Sequence, residues 1–125
     1  MVEQNIFAIL SGNANITAVV GTRIYPVELP TDATLPAIVY TVISSVSKPT
    51  LDTAGMDRVR IEFDCWGTSA LAAITLRSTL RANIDGYFAA SPNLSITHCD
   101  DDTAFKHKEY QYTARADYYV MTTQP

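Results

Sequence analysis

Arg58 to Trp66 reads Arg-Val-Arg-Ile-Glu-Phe-Asp-Cys-Trp and runs through Gly67-Thr68-Ser69 into ALAAITLRSTLRANI, Ala70 to Ile84. Val59, Ile61, Phe63 and Cys65 take every second position, with Arg58, Arg60, Glu62, Asp64 and Trp66 between them. A period of two sends alternate side chains to opposite faces of a strand, so one face enters a core and the other meets water or a partner. Past Gly67 the period becomes helical. Ala73, Leu76, Leu80 and Ile84 make an apolar stripe, widened by Ile74, as on a helix lying against a sheet. Gly67-Thr68-Ser69 breaks the strand and offers an N-cap, and Asp85-Gly86 ends the helix, while Arg77 and Arg81 sit toward its C-terminal end, where the macrodipole favours cations.

Upstream, Val2, Ile6, Ile9 and Leu10 recur at helical spacing and stop at Ser11-Gly12. Asn13 or Asn15 can cap a second turn carrying Ile16, Val19 and Val20, with Gly21 where a left-handed residue is wanted. Arg23-Ile24-Tyr25-Pro26 is β-prone until the proline, which confines it to an edge or a strand end. Val27 to Leu35 reads as a loop, and Ala37 to Ser44 (AIVYTVIS) as an interior strand rich in β-branched and aromatic residues. Ser45 to Met56 reads as a long polar loop, and long ordered loops are usually functional. Downstream, Leu94, Ile96 and His98 alternate with polar residues as a strand, Asp100 to Glu109 is a charged connection, and Tyr110 to Met121 is a second alternating strand. The order predicts an α+β fold: an antiparallel, or mixed, sheet with helices packed on one face and the other left free.

With 125 residues the chain forms one domain, 1–125, and buries about two-thirds of its unfolded surface on folding. Hydrophobic residues are 47% and charged residues 18% of the chain, which excludes disorder as the main state. Nine Lys and Arg against thirteen Asp and Glu give 9 − 13 = −4, the wrong sign for a groove binder of nucleic acid. No apolar run approaches the length of a membrane span, and the first residues lack the pattern of a signal peptide, so a soluble, cytosolic protein is expected. Cys65 and Cys99 are too few for a disulfide scaffold and fit a reducing compartment.

His98, Cys99, Asp100, Asp101, Asp102 and His107 are residue types that bind zinc or calcium, but their spacing matches no strong ligand motif. A solvated hairpin tip is the simpler reading. Glu62 and Asp64 lie two apart on one strand face, about 7 Å, within the range of glycosidase carboxylate pairs. Arg58 and Arg60 share that face, and so do Arg115 and Asp117 if the last strand is a neighbour, which makes an alternating-sign ladder the better explanation. Cys65 falls on the apolar side as a small inert hydrophobe. Tyr110, Tyr112 and Tyr118 share a face that packs as core, whereas Trp66 and Tyr119 point to the charged side, where a contact with another subunit would explain them.

Several pieces, taken together, resemble the tail terminator proteins of long-tailed bacteriophages, also called tail completion or tail-to-head joining proteins. They are an opening helix leading to Ile16-Thr17-Ala18-Val19-Val20-Gly21-Thr22-Arg23-Ile24-Tyr25-Pro26, then Leu35 to Tyr40, the strand Arg58 to Trp66 with its helix, and the closing strand Tyr112 to Val120. The resemblance implies a structural virion protein without catalytic residues or cofactors, forming a ring, typically a hexamer, on the head-proximal end of the tail tube. It would stop tube polymerisation and provide the surface for joining the head. The implied partners are other copies of the chain, the tail tube protein and a head-completion or connector protein, with DNA only passing through and no membrane. The implied location is the virion tail, and the host cytoplasm during assembly. On such a ring the expected contact residues are Arg23, Tyr25, Lys48, Leu51, Met56, Trp66, Asp101, Asp102, Phe105, Lys106 and Tyr119, with Glu62, Asp64 and Asp117 facing the channel. Another head-tail connector, a minor tail protein or, as an enzyme, a small metal-dependent hydrolase are the competing readings.

Overall fold

The computed structural model describes residues 2–48, 56–90, 93–102 and 104–123. Two short helices open the chain, α1 (Val2–Ser11) and α2 (Ala14–Val20), the second capped by Asn13, whose side chain accepts from the Asn15 and Ile16 amides. Gly21 follows at φ +59, a conformation that costs a side-chain-bearing residue. The strands are β1 (Ile24–Pro26), β2 (Ala37–Lys48), β3 (Met56–Gly67), β4 (Phe88–Ala90), β5 (Asn93–Asp101), β6 (Phe105–Lys108) and β7 (Gln111–Thr123), with α3 (Ala70–Ile84) between β3 and β4.

These seven strands form one curled, mixed sheet in the order β1-β2-β3-β7-β5-β4, with β6 continuing the line of β5 alongside β7. Every pairing is antiparallel except β1 with β2. The α+β architecture with helices on one face is as the sequence predicts, and the parallel edge strand makes the sheet mixed. Val59, Ile61, Phe63 and Cys65 of β3 and Ala114, Ala116, Tyr118 and Val120 of β7 are fully or almost fully buried beneath the helices. Ile6, Leu10, Ile16, Val20, Leu76, Leu80 and Ile84 close over them from the helical side. Phe63 and Tyr118 meet edge to face, ring centroids 5.4 Å apart.

The junction from β3 to α3 is tight. Ser69 accepts from the Ala72 amide as N-cap, and a Cβ on Gly67 would sit 2.7 Å from the Ala73 nitrogen, so the strand can approach the helix only without a side chain there.

Several sequence expectations are corrected. Ser45 to Met56 is not all loop: β2 continues to Lys48 and β3 begins at Met56, because Ser45, Val46 and Ser47 find strand partners in Val59, Arg58 and Asp57. Asp100 to Glu109 is not a simple connection, since β5 runs to Asp101 and β6 forms inside it. The three residues of β4 escaped the sequence reading. Ile74 lies on the exposed side of α3 and does not widen its stripe, and Tyr110 sits in the β6–β7 turn at φ +61 instead of in the core. Among the described residues no helix is long and apolar enough to cross a membrane.

Candidate assembly surface

The face of the sheet opposite the helices carries the alternate residues of β3 and β7, held in register by pairing. Arg58 faces Met121, Arg60 faces Tyr119, Glu62 faces Asp117, Asp64 faces Arg115 and Trp66 faces Thr113. Direct and diagonal neighbours complete an ion-pair ladder. Arg115 Nε donates to Asp64 Oδ1 at 2.8 Å and lies 2.9 Å from Glu62 Oε1, while Arg60 Nη2 donates to Asp117 Oδ2 at 2.6 Å. The Tyr119 ring lies under the Arg58 guanidinium, 5.0 Å from its centroid, with Arg60 at 5.9 Å. The ladder that the sequence favoured over a catalytic carboxylate pair is therefore present.

The ladder is not an ordinary solvated surface. The carboxylate side chains keep only 14 to 20% of their accessible surface. Burial, followed by the nearby Asp64 charge, pushes the Glu62 carboxyl above its usual range, and Arg115 opposes the shift. Asp117 Oδ1 and the Trp66 indole nitrogen are buried, and neither has a hydrogen-bond partner among the described residues. Trp66 stacks on His107 with centroids 4.7 Å apart, and His107 Nε2 is 2.8 Å from the Thr113 hydroxyl.

The other expected contact residues scatter. Phe105 pairs in register with Thr113, which places it two strands from Trp66 on the same face, and its side chain is exposed. Tyr25 is half-buried on β1, opposite Val39. Arg23 is committed to the fold, donating to the Pro36 carbonyl at 2.8 Å and to the Val19 carbonyl. Asp101 pairs with His98, 2.8 Å, and the Asp102 backbone carbonyl accepts from Arg77. Lys106 reaches Glu109 and the Tyr112 ring. Lys48 and Met56 pair at the end of the β2–β3 hairpin, and Leu51 lies outside the described residues.

His98 packs edge-on against the buried Tyr118 on the helical side, whereas His107 stacks on Trp66 on the open side. The sheet thus divides the cluster that could have held a metal, and no group of three His, Cys, Asp or Glu among the described residues is arranged to bind one. Cys65 is wholly buried, and burial raises its thiol pKa far above that of a reactive thiolate. Two shallow grooves flank α3, one along Arg77, Arg81, Asp85 and Asp101 and one along Val19, Pro36, Leu71 and Thr75, and neither is lined by Glu62 or Asp64.

The sequence reading missed the sheet's apolar margins: Val27 (71% exposed), Ile43 (50%), Phe88 (66%) and Leu71 on α3. Val27 holds φ +69, and the Glu28 amide reaches back to the Pro26 carbonyl at 2.7 Å across it. A β-branched residue at positive φ in a γ-turn is strained, and such strain gathers at functional positions. Pro26 and Pro30 around Val27 were the available signal.

Residues 4–117 match the family described as tail completion protein gp17. A chain from the virion of the native gene transfer agent (GTA) particle has the same fold, with a TM-score of 0.76 at 12% identity over 95% of this chain and 92% of that one. No curated protein matches. With nine-tenths of its length inside the family match and the fold in agreement, this chain belongs to the tail completion protein gp17 family and is a structural protein of a phage tail.

Proposed function

We propose that this protein closes as a ring, a hexamer, on the head-proximal end of the tail tube, ends tube growth there and presents the surface to which the head attaches. It works by shape, without turnover. One observation supports this most directly: among the described residues the sheet has helices on one side only, and its other side is a half-buried, internally paired ladder. A tube grows because each added ring repeats the same open contact surface. A subunit matching that surface on one side and differing on the other stops the repetition. Its partners are further copies of itself, the tail tube protein and a head-completion or connector protein, and it meets them in the host cytoplasm during assembly.

In this reading Glu62, Asp64 and Asp117 face the channel, as paired carboxylates. Counting Arg58, Arg60 and Arg115 against them gives 3 − 3 = 0, so this ladder is neutral and not the acidic wall that net charge alone suggests. Its cations are already engaged, two by carboxylates and Arg58 by Tyr119, which leaves little to hold a passing phosphate. Six chains together carry 6 × (−4) = −24, which adds repulsion. Trp66, Phe105 and Tyr119 on this same face, and Tyr25, Lys48, Met56, Asp101, Asp102 and Lys106 around it, are proposed contacts with neighbouring subunits or with the tube, and so, from the sequence alone, is Leu51. Arg23 belongs with them through the loop it fixes.

Tails assembled with and without this protein and measured by electron microscopy test the reading. Without it, tubes should overrun their normal length and fail to join heads. Tubes of normal length that accept heads in its absence would overturn it.

A further inference from the structure

We propose that neighbouring copies join edge to edge, with β4 of one subunit seated beside β2 of the next and β1 of the second beside β5 of the first, so that the sheet continues around the ring. The inference rests on the ring reading above and specifies which surfaces close it.

β3 serves as a ruler across the sheet. On one margin, β1 covers β2 only where β2 is level with Phe63 to Cys65. From Thr41 to Lys48, level with Glu62 to Met56, no described strand pairs with β2 on that side. On the other margin, β4 covers β5 at Asn93 to Ser95, level with Met56 to Arg58 through β7. Below it the β5 amides at Ile96 and His98 are taken by Tyr87 and the Asp85 side chain, and from there to Asp101, level with Phe63, no described strand lies alongside. Each margin therefore has a step, and the steps are complementary. β4 projects at the height where β2 is bare, and β1 projects where β5 ends, with Pro26 level with Asp101 and Tyr25 and Ile24 beyond it. The directions also follow: β4 would run parallel to β2, and β1 antiparallel to β5.

The composition of the margins agrees. Thr41 to Ser47 (TVISSVS) contains no charge and no proline, the usual protections of an exposed strand edge. Exposed apolar side chains flank both steps, Val27 and Ile43 on one margin and Phe88 and Phe105 on the other. A second copy is the occupant that fits, because joining unlike margins head to tail uses both steps of every chain and leaves none open once the rotation closes. A strand from a different protein would cover one margin and leave the other bare.

Cross-linking in assembled tails tests this. In a Cys99→Ser background, with Cys65 buried, Ser45→Cys and Phe88→Cys are made on separate chains; both positions are exposed, so the subunits should fold. A short bis-maleimide should yield dimers only when the two variants are mixed in one assembly, and a covalent ladder up to the complete ring when both changes are on one chain. Pro26→Cys with Asp101→Cys should behave likewise at the other step. Dimers from Ser45→Cys alone would mean like edges meet and would overturn the proposal, as would cross-linking of Ser45→Cys to a different tail protein. Rings that cap tubes normally but give no cross-link at either step would refute the edge contact and leave the ring reading standing. Loss of the ring reading itself would appear as normal tube length in the absence of the protein.

Discussion

The two faces of β3 hold the same chain in two different ways. On the helical side Val59, Ile61, Phe63 and Cys65 are sealed under three helices, and their contribution is non-directional burial. On the open side Arg60, Glu62, Asp64 and Trp66 are half-buried without a covering layer, held by directed pairs whose gain is offset by desolvation. The first face would hold in an isolated subunit. Each face keeps buried polar atoms without a partner among the described residues, Tyr118 Oη on the first and Trp66 Nε1 and Asp117 Oδ1 on the second, and the second adds the exposed Phe105.

The largest expected effect tests the sealed face. Phe63→Ala removes a fully buried ring and its edge contact with Tyr118, and should cost about 3–5 kcal/mol in denaturant unfolding. A cost under about 1 kcal/mol would mean that the two faces contribute alike. Next, Arg115→Ala takes away the cation shared by Glu62 and Asp64 and leaves two carboxylates facing each other; about 1–2 kcal/mol should be lost. That loss should shrink at acid pH, where the carboxylates take up protons, and a pH-independent loss would show that the ladder carries no net electrostatic stabilisation.

A smaller effect, of opposite sign, is expected from Tyr118→Phe. The Tyr118 hydroxyl is buried with no partner among the described residues, so removing it should leave stability within about 1 kcal/mol of the wild type, on the favourable side. A clear destabilisation would reveal a hidden hydrogen bond in the sealed face. The smallest effect is the pH dependence of Glu62. Its folded pKa is raised, so the native state holds this proton to higher pH than the unfolded chain does. Stability linked to this group is present below the ordinary glutamate pKa and is lost as pH rises through the higher folded value. Glu62→Gln should flatten that decline in a stability-against-pH series, and NMR titration should place the Glu62 midpoint above that of an ordinary glutamate.

What was legible followed from periodicity. The bounds of α3, a cap within Gly67-Thr68-Ser69, the alternation of β3 and the charged face that Glu62 and Asp64 share with Arg115 are legible, because a period and a cap are local; only β3–β7 pairing fixes which charges meet. Neither β4 nor β6 was legible. Phe-Ala-Ala and Phe-Lys-His-Lys have no pattern of their own and become strands only where β5 and β7 supply partners. For the same reason the end of β2, Ser45 to Lys48, reads as loop: two serines and a lysine around Val46 form a strand only once β3 lies beside them. Of the expected contact residues, Trp66, Tyr119 and Phe105 lie on one face, while Arg23 is a brace for the Leu35-Pro36 turn, which spacing could not reveal.

By itself the sequence determined the elements and their inward faces, since hydrophobic periodicity is written residue by residue and needs no partner to be read. Only the tertiary structure decided how far each strand runs, where the margins of the sheet stand bare and how deeply the ladder is buried. Those properties belong to pairings between residues far apart in the chain, and no local stretch encodes them.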